Sequence, residues 1–332
     1  MRKDIPHKVI HGDRIIRLRE ITGKKLLDFG ANLNPFPPEI GWIPDVSMLA
    51  SYPDDSYHRL KEAIGHQIAR DIEEICVGNG SVELIRSFCY AALSAGDGVY
   101  IPHPTFGEYL VSARLAGAGE VADPADAKVR FLCNPNNPTG SLLSRDRVID
   151  LLGQAERYDQ ILCVDEAFID LADPHQSVID IASPHLFVLR SLTKSFAVPG
   201  LRVGFGCGDT DLASIIEAIR PPWTVNCFAE DFAVRCLARS DDLAQSRRAI
   251  AAEREWLKNA FDALGIAHRP SDTNFILLDL DEPAADLAGR LLAHGVVVRD
   301  CASFGLLHSI RVAVRTHEEN RQLVRALEVC LR

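Results

Sequence analysis

Ser191-Leu-Thr-Lys194-Ser-Phe-Ala-Val-Pro-Gly-Leu-Arg202 is the stretch from which the fold of this chain can be read. The apolar run before it, Leu186-Phe-Val-Leu189, predicts a buried strand, so Lys194 stands just past a strand end. A hydroxyl lies three residues before the lysine and an arginine eight residues after it. Such an amine can capture an aldehyde cofactor, and such neighbours can hold that cofactor's phosphate. A lone lysine in a strand-to-helix loop is ordinarily a surface residue. Two upstream motifs, in matching order, change that reading.

The first is Asn134-Pro-Asn-Asn137-Pro-Thr-Gly140, directly after Val129-Arg-Phe-Leu-Cys133, and the second is Asp165-Glu-Ala-Phe168, directly after Ile161-Leu-Cys-Val164. Each puts polar groups at the C-terminal end of an apolar run, where open α/β sheets build ligand sites. A carboxylate there can keep a pyridine nitrogen protonated, so that the ring accepts electrons from a carbanion. An amide such as Asn137 can hydrogen-bond the ring's phenolate oxygen. Alone, the first motif is a turn and Asp165 a helix cap. Together with Lys194 they recur at intervals of 28 and 29 residues, each after its own predicted strand.

This combination resembles the fold-type I pyridoxal-phosphate enzymes, the aspartate aminotransferase superfamily, over nearly the whole chain. The resemblance implies an α/β fold: a large domain with a mainly parallel sheet plus a small α+β domain. It also implies pyridoxal 5'-phosphate on Lys194, with Asp165 at the ring nitrogen, Asn137 at the phenolate oxygen and Phe106 stacked on the ring. Gly78-Asn-Gly80-Ser-Val82 follows a predicted strand and opens a helix, an arrangement that suits an anion. By resemblance, Gly80, Ser81, Val82, Ser191 and Arg202 surround the cofactor phosphate. Ser51-Tyr52-Pro-Asp resembles the family segment whose tyrosine reaches the partner subunit's cofactor phosphate, which implies a homodimer with shared sites. Phe168 departs from the tyrosine common at that position and cannot donate a hydrogen bond to the phenolate.

Composition agrees. With 332 residues, 47% of them hydrophobic, the chain can bury a large core with room for two domains. A formal net charge of -10 disfavours nucleic-acid binding, so an anionic substrate needs local arginines. The nine cysteines are odd in number and include no C-x-x-C, which reads as buried thiols in a reducing compartment, with no disulfide or metal site expected. No apolar leader or membrane-length run occurs, so the expected location is cytoplasmic.

Along the chain, residues 1–40 are expected to form an arm joining the small domain, 41–225 the large cofactor domain and 226–332 the small domain. Strands are predicted at Leu26–Phe29, Ile75–Val77, Val99–Ile101, Val129–Cys133, Ile161–Val164, Leu186–Leu189 and Arg202–Phe205. Beyond Pro221-Pro222 a long helix over Asp231–Leu264 is expected, then strands at Asn274–Leu278, Val296–Arg299 and Ile310–Val314, then a helix at Glu318–Leu331.

The reaction depends on the substrate-facing residues. Their pattern, including His11-Gly-Asp, Gly30-Ala-Asn32-Leu-Asn-Pro35, Asp165-Glu-Ala-Phe168-Ile-Asp170 and Ile310-Arg-Val-Ala-Val-Arg315, resembles the threonine-phosphate decarboxylases of cobalamin biosynthesis. The resemblance implies a carbon–carbon lyase acting on a phosphorylated amino acid, with Arg311, Arg299, Asn32 and His11 toward the substrate. Histidinol-phosphate aminotransferases share Asn137, Asp165, Lys194 and Arg202 and give the alternative expectation. A noncatalytic pyridoxal-phosphate regulator would need an added DNA-binding domain, for which the segment before the core is too short.

Overall fold

The structure, a computed structural model, describes Pro6, Val9 and residues 15–331. In chain order the strands are β1 (Leu27–Asp28), β2 (Ile75–Gly78), β3 (Gly98–Tyr100), β4 (Gly119–Glu120), β5 (Val129–Cys133), β6 (Ile161–Asp165) and β7 (Leu186–Ser191). They continue as β8 (Gly204–Cys207), β9 (Ala267–His268), β10 (Phe275–Asp279), β11 (Val296–Val297), β12 (Arg299–Asp300) and β13 (Ser309–Ala313). The helices are α1 (Ile15–Thr22), α2 (His58–Ile68), α3 (Ser81–Ala92), α4 (Glu108–Ala116), α5 (Arg145–Arg157) and α6 (Leu192–Ser195). Five more follow: α7 (Thr210–Ile219), α8 (Cys227–Leu237), α9 (Leu243–Ala263), α10 (Ala284–Ala293) and α11 (His317–Cys330).

Seven strands form the main sheet in the order β2-β8-β7-β6-β5-β3-β4. All run parallel except β8, which is antiparallel to both β2 and β7. The period-two alternation of each strand divides its side chains between two cores. Leu162, Val164, Leu186 and Val188 face α2, α5 and α8 on one side, whereas Cys163, Phe187 and Leu189 face α3, α4 and α7 on the other. With both faces covered, the parallel strand ends are the natural place for a site.

A second, antiparallel sheet runs β12-β13-β10-β9, and β1 pairs in parallel with β11, Leu27 opposite Val296. The N-terminal strand thus pairs with a strand from the C-terminal part of the chain. Among the described residues no helix is long and apolar enough to cross a membrane.

Three expectations need correction. The long helix over Asp231–Leu264 is two helices, α8 and α9, separated by a 3-10 turn at Ser240–Asp242. There Arg239 Nε donates to the Asp242 carboxylate. The run Val296–Arg299 is not one strand: β11 pairs with β1, and β12 pairs with β13. The strand expected from Arg202 begins instead at Gly204, because Arg202 adopts a left-handed conformation with φ of 60°.

Gly204 lies in register between Gly78 of β2 and Ser191 of β7. A Cβ there would meet main-chain atoms, Ser81 N at 2.9 Å and Arg190 O at 3.0 Å. Gly204→Ala therefore forces the strand ends apart. We expect it to destabilise the cofactor-free protein by about 1–3 kcal/mol, read as a lower urea midpoint at unchanged slope.

Candidate active site

The strand register collects the sequence motifs at one edge of the main sheet. Cys133 of β5 lies opposite Asp165 of β6, and Asp165 opposite Leu189 of β7. Asn134–Asn137 follow β5, Asp165 ends β6, and Lys194 lies on α6 directly after β7. The Lys194 cation acts on Asp165, favouring its ionised form.

Asp165 is buried, 4% exposed. Its Oδ2 accepts the Tyr109 hydroxyl at 2.7 Å and its Oδ1 the Ala167 N–H at 3.0 Å. Desolvation dominates these bonds and raises its pKa above the usual carboxylate value. A cationic pyridinium nitrogen would reverse that imbalance. Tyr109 is itself fully buried, stacked on Phe131 at 5.0 Å, and both desolvation and the Asp165 charge hold its hydroxyl protonated. Its role was not anticipated from sequence. The available signal was its place three residues after Phe106, in the Phe106-Gly-Glu-Tyr109 stretch. Phe106 meets Tyr109 edge-on at 5.6 Å.

The anion cup forms where β2, β8 and β7 end together. Gly80 takes φ of 78°, turning the chain into α3, whose first residues Ser81 and Val82 offer free N–H groups. Arg202 closes this turn: its guanidinium donates to Asn79 O at 3.4 Å and Pro199 O at 3.2 Å, and a Cβ on Gly80 would collide with it. Ser191 Oγ shares a hydrogen bond with Thr193 Oγ1 at 2.9 Å. A glycine cradle, a helix N-terminus, hydroxyls and a guanidinium together fit a phosphomonoester. With Asp165 and Lys194 nearby, the residues present fit pyridoxal 5'-phosphate.

The substrate-side candidates converge from the second sheet. Arg311 of β13 and Arg299 of β12 are cross-strand partners, 6% and 7% exposed. Arg311 donates to Asn137 Oδ1 and, at 2.9 Å, to Gly30 O, while its Nε has no partner. Burial pushes its guanidinium down to about 10. Arg299 donates to Ser303 Oγ at 2.6 Å and stands over the Phe304 ring. Asn32 is buried with its Oδ1 unpartnered. The turn that carries it is tied by Gly30 and Ala31 N–H groups donating to Asp28 Oδ1.

The remaining sequence candidates are placed differently; of them, Phe168 adjoins the cluster, through Phe275, over whose ring Arg311 stands. Arg315 donates to Asp28 O at 3.0 Å and to Glu319 at 2.8 Å, bracing the N-terminal segment against α11. Phe168 packs on Phe275 at 5.1 Å. Tyr52 is 81% exposed, its ring 4.6 Å from Trp223. His11 lies outside the described residues. Among the described residues no group of His, Cys, Asp and Glu could hold a metal ion.

The family model for class I and II aminotransferases matches residues 27–125 and 120–327. A histidinol-phosphate aminotransferase of Symbiobacterium thermophilum is 32% identical, over 94% of this chain and 92% of that protein. A Caldanaerobacter subterraneus protein provisionally named threonine-phosphate decarboxylase is 34% identical, over 90% of this chain and 88% of its own. The crystal structure of histidinol-phosphate aminotransferase from Sinorhizobium meliloti, in complex with pyridoxal-5'-phosphate, superposes with a TM-score of 0.82 at 23% identity, covering 95% and 93% of the two chains.

Because the buried charge of Asp165 is unfavourable without a cation against it, stability and activity are expected to part on substitution. The raised folded-state pKa means that the cofactor-free protein binds this proton more tightly than the unfolded chain does. Stability from this group is therefore present at acid pH and lost as pH rises through the folded pKa. Asp165→Asn is expected to leave the melting temperature of the cofactor-free protein at pH 7 equal to or above wild type. The same variant should lose about 100-fold or more in kcat when loaded with cofactor, from lost electrostatic stabilisation.

Proposed function

The chain belongs to the class I and II aminotransferase family and takes pyridoxal 5'-phosphate as cofactor, and within that family we propose that it decarboxylates L-threonine O-3-phosphate. The product would be (R)-1-amino-2-propanol O-2-phosphate, the linker of the cobalamin nucleotide loop. The observation that carries the substrate class is the buried cross-strand pair Arg299 and Arg311. Two guanidiniums side by side match a substrate with two anions, a carboxylate and a phosphate. Asn32, with an unpartnered buried Oδ1, offers an acceptor and calls for a donor, such as the substrate's amino group, rather than for an anion.

In this reading Ser81, Val82, Ser191 and Arg202 fix the cofactor phosphate, Asn137 the phenolate oxygen and Phe106 the ring face. When bound, the cofactor ring supplies a sink for the electron pair released at Cα. Asp165 holds the ring nitrogen protonated in a dry setting, where its charge acts strongly. The two arginines would hold the substrate's carboxylate and phosphate and so determine which bond at Cα is cleaved. Carbon dioxide leaves without the bonding pair, and the Lys194 ammonium returns a proton to Cα. Phe168 supports this reading because tyrosine, usual there in the aminotransferases, is replaced by a ring that packs on Phe275.

The active unit in this proposal is a homodimer. Ile43, Val46, Leu49 and Tyr52 form a largely exposed apolar stretch in one segment of chain, with Trp223 against Tyr52, and a second copy would cover them. A second reading, transamination of histidinol phosphate, is supported by the names of relatives such as the Symbiobacterium protein.

Purified enzyme incubated with threonine phosphate and no oxoacid should release carbon dioxide. Strict dependence on 2-oxoglutarate, with histidinol phosphate as donor and a shift to the pyridoxamine form, would overturn the decarboxylase reading. Arg299→Gln is expected to raise KM for threonine phosphate about 10- to 100-fold, the loss of one or two charge-assisted bonds, while leaving cofactor content unchanged.

A further inference from the structure

The helix that carries Lys194 spans one turn, Leu192–Ser195, and a helix so short does not hold itself in place. Its start is set by the pairing of β7 between β6 and β8. Its end is held from far away in the chain. Asn34 donates its backbone N–H to Lys194 O at 3.1 Å and its side-chain Nδ2 to Ser195 O at 2.8 Å. Asn34 is 2% exposed, and its Oδ1 accepts Phe36 N–H at 2.9 Å, which fixes the amide so that its donor face points at α6. Four residues earlier, Gly30 O receives the Arg311 guanidinium. Residues 30–34 are thus a short strap between the substrate arginine and the lysine's own peptide groups.

We propose that Asn34 is a positioning residue of the reaction, holding the backbone of Lys194 at the height from which its amine reaches the cofactor and Cα, and linking that height to the seating of Arg311. The physical reason is leverage. A lysine side chain is long and flexible, so where its amine can reach depends on how firmly its Cα is held. Two hydrogen bonds on consecutive carbonyls remove both translation and rocking of the turn. The inference rests on Lys194 being the cofactor-bearing amine. Borohydride reduction of the wild-type holoenzyme followed by peptide mapping checks that premise separately, and an adduct at another lysine would remove it whatever the variants do.

The test uses Asn34→Ala and Asn34→Asp in the cofactor-loaded enzyme. The aspartate keeps the acceptor for Phe36 N–H, and with it the local turn, but loses the donor to Ser195 O. It therefore carries the test if the alanine variant does not fold. In both variants kcat should fall about tenfold or more, with KM within about threefold of wild type. The midpoint of the pH titration of the cofactor's visible absorbance should move by about half a pH unit or more at unchanged cofactor content. An aspartate variant with wild-type kcat and midpoint would overturn the proposal, as would a fall in kcat that merely tracks lost cofactor.

Discussion

A carboxylate sealed at the end of a buried strand is the constraint on which this molecule turns. Asp165 sits at 4% exposure, where a charge is expensive to keep. One hydroxyl, one amide and a nearby ammonium offset part of that cost, yet burial still prevails over them. The surroundings therefore suit a further cation at that carboxylate, and a protonated pyridine nitrogen is one. The same burial that weakens the empty protein makes the charge effective once a ring is present, because little water is left to screen it.

The rest of the architecture serves to bring partners to that point. Parallel pairing of β5, β6 and β7 aligns their ends, so residues far apart in sequence become neighbours without any long loop having to find its own path. The antiparallel β8 is as necessary. By lying between β2 and β7 it places the Gly80–Ser81 turn beside Ser191, and a glycine at its first position lets the three main chains close up. The second sheet contributes the opposite polarity, two buried guanidiniums, and the strap at residues 30–34 joins it to the lysine. In the proposed reading, cofactor recognition and substrate recognition fall to different sheets.

How much of this was legible in the sequence follows from the same division. Asp165 ends β6, and Asn137 and Lys194 come within four residues of the ends of β5 and β7, so local pattern and family resemblance singled out these three, with Arg202 just before β8, as cofactor-side candidates. Tyr109 and Asn34 fall in stretches that the sequence marked, but their roles escaped because their partners lie 56 and 161 residues away, and no local pattern encodes such bonds. Arg315 sits in a segment that matched the substrate-side pattern, but lies past the end of β13 and turns to Asp28 and Glu319. The split of Val296–Arg299 between two sheets was equally invisible, since hydrophobicity reports burial and not the partner strand.

The most direct test of the central claim is the protonation state of the cofactor's ring nitrogen. Holoenzyme prepared with pyridoxal phosphate carrying nitrogen-15 in the ring would report it through that nucleus's chemical shift. The account predicts a protonated nitrogen across the neutral pH range in wild type and a neutral one in Asp165→Asn. An unprotonated nitrogen in the wild-type enzyme at pH 7 would contradict it.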